Sequence, residues 1–463
     1  MTSPTKPSIP KPRSLLRHLR PTDLKAAAQL ATQATQGVVN MVEGVHRSVH
    51  RQLGLSTSAM PDKTSGLTGQ VYRGIRGVAA LVGKGSDAVL GALLPLLDNP
   101  ATLPEASPQR EAVLAALNGV MGDRLVATGN PLAQAMELRV AGQILALDTP
   151  EILNQQLAAS QSASRVIPAS PHLLLLIHGL CMNDTQWLRQ GHDHGAYLAQ
   201  ALGCTPVYLR YNSGRHVSQN GRELAAQLER LVVAWPVPLA RITLVGHSMG
   251  GLVARSAIHL AHKAGQGWPS LLRELVFLGT PHHGAPLERA GHGVDVLLGA
   301  TPFSAPFAQL GKLRSAGITD LRHGYVTDAD WESAPGEGWR AGFEDRREPL
   351  PLPDGVACFA VAATLAGQPR PKTAGKSRLR TEPERAGKSA AGLAASALAA
   401  VAGDGMVPVE SALGQHDEAR RRLLFAPDSQ CIVYQTGHLD LLSSPAVAEQ
   451  LLAWLSPGPF AEG

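Results

Sequence analysis

Short, nearly continuous apolar runs separated by amphipathic stretches constrain the fold of this chain more than any other feature. The runs are HLLLLIH from His172, PVYLRY from Pro206, ITLVG from Ile242, ELVFLG from Glu274, VACFAVAA from Val356 and QCIVYQ from Gln430. Strands that are buried on both faces have this composition, because each face meets apolar neighbours. Helical spacing follows in residues 221–235 and 250–264. This alternation predicts an α/β fold with a mostly parallel central sheet flanked by helices.

The length of the chain leaves room for more than this sheet. It has 463 residues, of which 44% are hydrophobic, enough for one large domain with an appendage. We assign residues 1–110 to a proline-bearing tail and an N-terminal helical extension, because residues 21–97 are rich in Ala, Leu, Val and Gly with helical spacing. Residues 111–463 then form the main domain. Alternating apolar and polar residues in 136–148 predict a β-hairpin at its start.

Two insertions are expected within the main domain. Residues 285–350 mix an apolar, helix-like patch with Gly and Pro and predict a lid or cap. The patch contains Val294, Leu297, Leu298, Phe303, Phe307 and Leu310, which are suited to lining an apolar acyl pocket. Residues 365–392 are charged and poor in apolar side chains, which predicts a flexible surface loop.

Charge and cysteine content exclude several classes of protein. The net charge of +5 comes largely from residues 1–60 and from 370–388, as is typical of solvated tails and loops, so a nucleic-acid partner is not expected. The 4 cysteines are widely spaced without a CxxC pair, which argues against a zinc cluster. The N-terminus lacks the apolar core of a secretory signal, and we expect a cytoplasmic protein. Peripheral membrane contact through the N-terminal helices and the oligomeric state stay open.

The motif GHSMG follows the apolar run at Ile242 and precedes the helical stretch LVARSAIHLAHKA. It places Gly246 and Gly250 two residues on either side of Ser248. A serine on such a strand-to-helix turn has a strained backbone, and side chains at the flanking positions would collide with the strand or the helix. The pattern therefore predicts that Ser248 is a nucleophile on an elbow.

A serine hydroxyl needs a base that is oriented by a carboxylate. His438, in YQTGHLDLL, follows the last predicted strand, where the chain order of serine, acid and histidine places the base. Asp404, in AGDGMVP, lies between two glycines after the run at Val356 and is the expected acid. Glu410 and Asp440 are the alternatives to it.

Backbone amides are expected to hold the negative charge that develops on a substrate carbonyl. One is the N–H of Met249, at the start of the helix that follows the elbow. The other comes from the turn after LLLLIHG, and we assign it to Leu180, with Cys181 as the alternative. His178 in this turn is expected to support the loop, and the paired histidines of GTPHHG are expected to pack beside the pocket rather than bind metal.

The motifs LIHG, GHSMGG, GTPHHG, DGMVP and GHLDLL occur in this order and resemble those of the α/β-hydrolase superfamily, in particular the bacterial lipases and esterases. The resemblance spans residues 130–458. It implies a triad of Ser248, Asp404 and His438, an oxyanion hole at Leu180 and Met249, and a lid between the strands at Leu275 and Val356. Some bacterial lipases hold a structural calcium near the triad, and Asp440 resembles one of its ligands. No second ligand accompanies Asp440, so neither a metal nor a cofactor is expected.

These features predict a serine ester hydrolase that cleaves carboxylic esters with apolar acyl groups, on a small-molecule or lipid substrate. An acyltransferase or a thioesterase would use the same triad. A peptidase would also share its chemistry, and a binding module without activity would need none of the three side chains.

Overall fold

The computed structural model describes residues 29, 108–159, 169–285, 315–332, 347–368 and 403–456. The chain divides into two compact units, one formed by residues 1–111 and 125–133 and the other by residues 112–124 and 134–463. Of the first unit the structure describes residues 29, 108–111 and 125–133. The sheet and the predicted site residues all belong to the second unit.

The second unit contains an 8-stranded sheet with the order β2-β1-β4-β3-β5-β6-β7-β8. The strands from β3 to β8 run parallel to their neighbours, whereas β1 is antiparallel to β2 and β4. The strands are β1 (Glu137–Val140), β2 (Gln143–Ile144), β3 (His172–Ile177), β4 (Thr205–Arg210), β5 (Arg241–His247), β6 (Leu272–Leu278), β7 (Ala357–Thr364) and β8 (Gln430–Tyr434). The mostly parallel sheet predicted from the apolar runs is confirmed.

The α-helices of the described part alternate with the strands along much of the chain. They are α1 (Pro108–Ala127), α2 (Pro150–Ala159), α3 (His194–Leu202), α4 (Val217–Ala234), α5 (Met249–Lys263), α6 (Ala316–His323), α7 (Asp328–Glu332), α8 (Val409–Ala412) and α9 (Pro445–Leu455). Short 3-10 helices occur at Asp184–Trp187, Trp268–Leu271, Ala419–Arg421, Pro427–Ser429 and Asp440–Leu442.

Local sequence explains why these segments form where they do. The side chains of β3 from Leu173 to Ile177 are all fully buried, as expected for a central strand covered by helices on both faces. In α4 the buried residues Val217, Leu224, Leu228 and Leu231 recur at helical spacing, so one face of the helix is buried, and the helix packs against α5. The hairpin predicted at residues 136–148 is present, and its two-residue turn places both Ala141 and Gly142 at positive φ.

Helix α3 is among the described helices that periodicity did not anticipate. Helix α3 begins after Asp193, whose side chain accepts a hydrogen bond from the N–H of Ala196, and ends at Gly203 in the left-handed conformation. Its cap residues were a sequence signal for its position, because an aspartate before and a glycine after a short helix are typical of its two ends.

Several predictions fall wholly or partly outside the described residues. Residues 21–97 of the predicted N-terminal extension lie outside them except for residue 29, as do residues 286–314 with the apolar patch of the predicted lid. Only residues 365–368 of the predicted surface loop are described. The domain boundary at residues 110 and 111 stays a prediction. Within the described part, no helix combines the length and the apolar character needed to cross a membrane.

Candidate active site

Ser248 lies on the sharp turn between β5 and α5. Its φ of 53° is positive, a conformation that residues other than glycine adopt only under strain. The turn is held from the neighbouring strand, because the Ser248 N–H donates a hydrogen bond of 2.8 Å to the carbonyl oxygen of Leu278. The serine is 1% exposed, so its hydroxyl is shielded from bulk water.

The glycines around Ser248 meet a steric demand of the turn. A Cβ atom at Gly246 would lie 2.5 Å from the backbone nitrogen of Gly251. A Cβ atom at Gly250 would lie 2.7 Å from the carbonyl oxygen of His178. Both distances are too short for carbon in contact with backbone atoms, which do not move aside at low cost. The spacing seen in the sequence is therefore required by the close approach of β5, α5 and the end of β3.

His438 and Asp404 form a buried pair at the ends of β8 and β7. The Nδ1 atom of His438 lies 2.7 Å from Oδ2 of Asp404, and the two side chains are each 1% exposed. The other carboxylate oxygen of Asp404 accepts hydrogen bonds from the N–H groups of Met406 and Val407. A carboxylate held in this way orients the imidazole with the proton on Nδ1, which leaves Nε2 as a proton acceptor.

The elbow and this pair converge at the carboxyl edge of the sheet. The Nε2 atom of His247 lies 3.2 Å from the carbonyl oxygen of His438, and their rings are 4.8 Å apart. A Cβ atom at Gly279 would lie 3.2 Å from Cε1 of His438. Ser248 Oγ and His438 Nε2 are both buried and have no hydrogen-bond partner among the described residues. Catalytic hydrogen bonds are often long in the absence of substrate and tighten when it binds.

The alternative acids do not contact His438 in this way. Glu410 is exposed at the start of α8. The Asp440 side chain is 53% exposed; it accepts a hydrogen bond from the N–H of Gly437 and forms an ion pair with Arg189. Asp404 is thus the carboxylate that the fold brings to His438.

The turn after β3 lies beside Ser248. A Cβ atom at Gly179 would be 3.0 Å from the Cβ atom of Ser248. The N–H of Cys181 is already engaged, because it donates a 3.0 Å hydrogen bond to Oγ of Ser213. Met249 is the first residue of α5, where backbone N–H groups have no acceptor within the helix. Leu180 and Met249 stay the expected oxyanion donors, and the Cys181 alternative is disfavoured.

Two histidines near the elbow are held as neutral structural groups. Burial lowers the pKa of His178 to about 4, and its Nε2 atom accepts a hydrogen bond from the Tyr211 N–H. Burial, together with the nearby His438, lowers the pKa of His247 well below the ordinary range. The structural contact of His247 with the His438 loop was missed from the sequence, although its place inside the GHSMG motif was a signal.

The paired histidines of GTPHHG follow β6. His282 packs edge-on against Phe277, and burial lowers its pKa well below the ordinary range. His283 lies beside His416, with ring centres 4.8 Å apart. Among the described residues, no group of three or more His, Cys, Asp or Glu side chains is placed to hold a metal ion.

One protein family matches part of this chain. A family model described as a PGAP1-like alpha/beta domain matches residues 170–337. The sheet of this chain has the strand arrangement of the α/β-hydrolase fold. The match covers β3 to β6, and therefore includes the elbow and the turn after β3 but not Asp404 or His438.

Solved structures that are similar to this chain include lipases, a lipase-esterase related protein and a thioesterase. The mature lipase BlEst2 of Bacillus licheniformis is 19% identical, with 63% of this chain and 94% of that chain covered and a TM-score of 0.38. A lipase-esterase related protein from Clostridium acetobutylicum is 14% identical over 62% of this chain and 95% of that chain, with a TM-score of 0.31. The RedJ thioesterase of Streptomyces coelicolor is 15% identical over 62% of this chain and 85% of that chain, with a TM-score of 0.33. No curated protein sequence matches the chain.

Proposed function

We propose that this protein is a serine ester hydrolase that cleaves carboxylic esters of apolar acyl groups through an acyl-enzyme on Ser248. The observation that carries the proposal is the pairing of His438 Nδ1 with Asp404 at 2.7 Å beside a strained, buried serine. This arrangement supports the proposal because Ser248 Oγ and His438 Nε2, the two atoms that must exchange a proton, are both buried and without other partners among the described residues.

The reaction would follow from these positions. Ser248 Oγ attacks the ester carbonyl carbon while His438 Nε2 takes the hydroxyl proton, and the carbonyl oxygen becomes an oxyanion held by the N–H groups of Leu180 and Met249. When the tetrahedral intermediate collapses, the C–O bond to the alcohol breaks and His438 gives its proton to the leaving oxygen. Water then attacks the acyl-enzyme with His438 again as the base, which releases the acid and restores Ser248.

The proposed substrate is a small-molecule or lipid ester. The apolar patch at residues 294–310, between the strands β6 and β7, supports an apolar acyl group, because an insertion at the carboxyl edge of the sheet is suited to cover the site. An acyltransferase would use the same acyl-enzyme but pass the acyl group to an alcohol. A thioesterase would differ in the leaving sulfur alone.

A substrate panel tests the proposal. We expect turnover of p-nitrophenyl esters of increasing chain length, with less or no turnover of a peptide p-nitroanilide. Turnover of emulsified triglyceride would indicate a lipase, and preference for a thioester would indicate a thioesterase. Transfer of the acyl group to an added competing alcohol would indicate an acyltransferase. Preference for acetate without a gain at an interface would assign an esterase that does not need a lipid surface. Failure to turn over any ester or thioester would overturn the proposal.

A further inference from the structure

The turn that carries Leu180 is held by a second loop, which follows β4. The hydroxyl of Tyr211 donates a 2.8 Å hydrogen bond to the carbonyl oxygen of His178, and the two rings stack with centres 4.3 Å apart. Two residues later, Ser213 Oγ accepts the hydrogen bond from the Cys181 N–H. Tyr211 and Ser213 therefore contact the residues on both sides of Gly179 and Leu180. Neither was singled out by the sequence motifs.

The conformation of Cys181 needs this support. Its φ of 58° is positive, which a residue with a side chain adopts only when its surroundings demand it. The Cys181 N–H belongs to the peptide that joins Leu180 to Cys181, so its hydrogen bond fixes the peptide plane directly after the Leu180 Cα atom and thereby restrains the backbone that carries the Leu180 N–H. Ser213 is 1% exposed, and its hydroxyl is thus a fixed acceptor for that N–H.

Helix α1 also packs against Cys181. A Cβ atom at Gly119 would lie 2.8 Å from the Cα atom of Cys181 and overlap its sulfur, so glycine is the residue that permits this approach. The carbonyl oxygen of Gly119 in turn accepts a 2.7 Å hydrogen bond from the buried hydroxyl of Ser315. Gly119 precedes the residues matched by the family model, and the packing against Cys181 comes from a part of this chain outside that match.

We propose that Ser213 is a positioning residue for the oxyanion hole, and that it acts on Leu180 through the Cys181 N–H, with Gly119 packed against Cys181. The inference rests on the proposed function, because the oxyanion hole has a role only if an ester carbonyl is attacked. Oxyanion donors act through their direction toward the charge of the transition state. Loss of the Ser213 hydroxyl frees the Cys181 peptide to rotate, and this lowers kcat more than it changes KM.

The experiment compares Ser213→Ala and Ser213→Cys with the wild-type chain on the best ester of the panel. We expect kcat to fall about 10- to 100-fold in Ser213→Ala with KM within about twofold, which is less than the loss on removing an oxyanion donor outright. The kcat of Ser213→Cys should lie between those of the wild type and Ser213→Ala, because sulfur accepts hydrogen bonds weakly. Ser256→Ala is the matched control, since Ser256 is buried on α5 and its hydroxyl has no partner among the described residues.

A tetrahedral mimic separates positioning from a structural effect. A trifluoromethyl ketone with the acyl chain of the ester forms a hemiketal on the serine and places an oxyanion in the hole. Its inhibition constant should rise in Ser213→Ala by the same factor by which kcat/KM falls. Equal kcat in Ser213→Ala and Ser256→Ala, or a loss of kcat without weaker inhibition, would overturn the inference. A wild-type chain that neither hydrolyses esters nor reacts at Ser248 would instead overturn the proposed function.

Discussion

His438 Nδ1 lies 2.7 Å from Asp404 Oδ2, although the two residues are 34 positions apart in the chain. A second hydrogen bond joins the same two residues: the His438 N–H donates to the Asp404 carbonyl oxygen over 3.1 Å. Backbone and side chain together set the direction of the imidazole toward the elbow. This rigid pairing is the basis for the predictions that concern the base and the acid.

Replacement of the serine should abolish turnover without unfolding the chain. In Ser248→Ala we expect kcat/KM for the best ester to fall by about 10⁶-fold, by comparison with other serine triads. The buried hydroxyl makes no hydrogen bond to a described residue, so its loss should cost little stability. A fluorophosphonate probe should label the wild-type chain at Ser248, as mapped by mass spectrometry. Labelling of an active preparation at another residue would contradict this assignment.

Replacement of the base and of the acid should differ in severity. His438→Ala is expected to lose nearly as much activity as Ser248→Ala, because the residues act as a unit. Asp404→Asn should lose about 10⁴-fold, since an amide in place of the carboxylate favours the wrong imidazole tautomer. The measurement is kcat/KM on one ester for all variants at the same pH.

Matched substitutions at the alternative acids serve as the control for Asp404. Glu410→Gln and Asp440→Asn should keep activity within about threefold of the wild type, because surface changes away from the site have small effects. If Asp404→Asn were as active as these two variants, the acid would have been assigned to the wrong residue.

Glycine at position 250 should be essential to the fold of the elbow. A Cβ atom there would press on the carbonyl oxygen of His178 at 2.7 Å, so Gly250→Ala should displace both the turn after β3 and the serine. We expect at least a 100-fold loss of kcat/KM, together with a lower unfolding midpoint in urea. Gly367→Ala is the control, since a Cβ atom there meets nothing within 4 Å. Normal activity in Gly250→Ala would show that the turn can relax at no cost.

Buried neutral histidines should make the fold sensitive to acid. Burial lowers the pKa of His178 and of His194 to about 4, whereas an unfolded histidine protonates near pH 6.5. Below roughly pH 6.5 the unfolded chain therefore binds protons that the folded chain does not, so the free energy of unfolding falls as the pH is lowered toward 4. Each histidine contributes up to about 1.4 kcal/mol per pH unit in this window.

Urea unfolding at a series of pH values between 7.5 and 4.5 measures this slope. His194→Gln removes one of these groups and should give a shallower decrease than the wild type. The same slope in both proteins would argue that His194 does not stay neutral in the folded chain.

Those features that depend on local sequence were predictable. The apolar runs marked β3 to β8. For β3 to β7 the reason is that a strand covered on both faces must be apolar along its length, whereas the edge strand β8 is only partly buried, contrary to the expectation from its run. The glycines of GHSMG marked the elbow, because a strand-to-helix turn of this sharpness has no space for side chains on either side of the serine. These are steric and solvation demands that a few neighbouring residues meet together.

The tertiary structure decided what depends on residues far apart in the chain. Asp404 was the expected catalytic acid, with Glu410 and Asp440 as alternatives. The tertiary structure places Asp404 against His438, at the ends of the paired strands β7 and β8. The sequence assigned the second donor to Leu180 with Cys181 as the alternative, and the hydrogen bond from the Cys181 N–H to Ser213 disfavours that alternative. A hydrogen bond requires a donor and an acceptor about 3 Å apart with the correct direction. Packing across the sheet sets that geometry, and the residues adjacent to the donor or the acceptor in sequence do not.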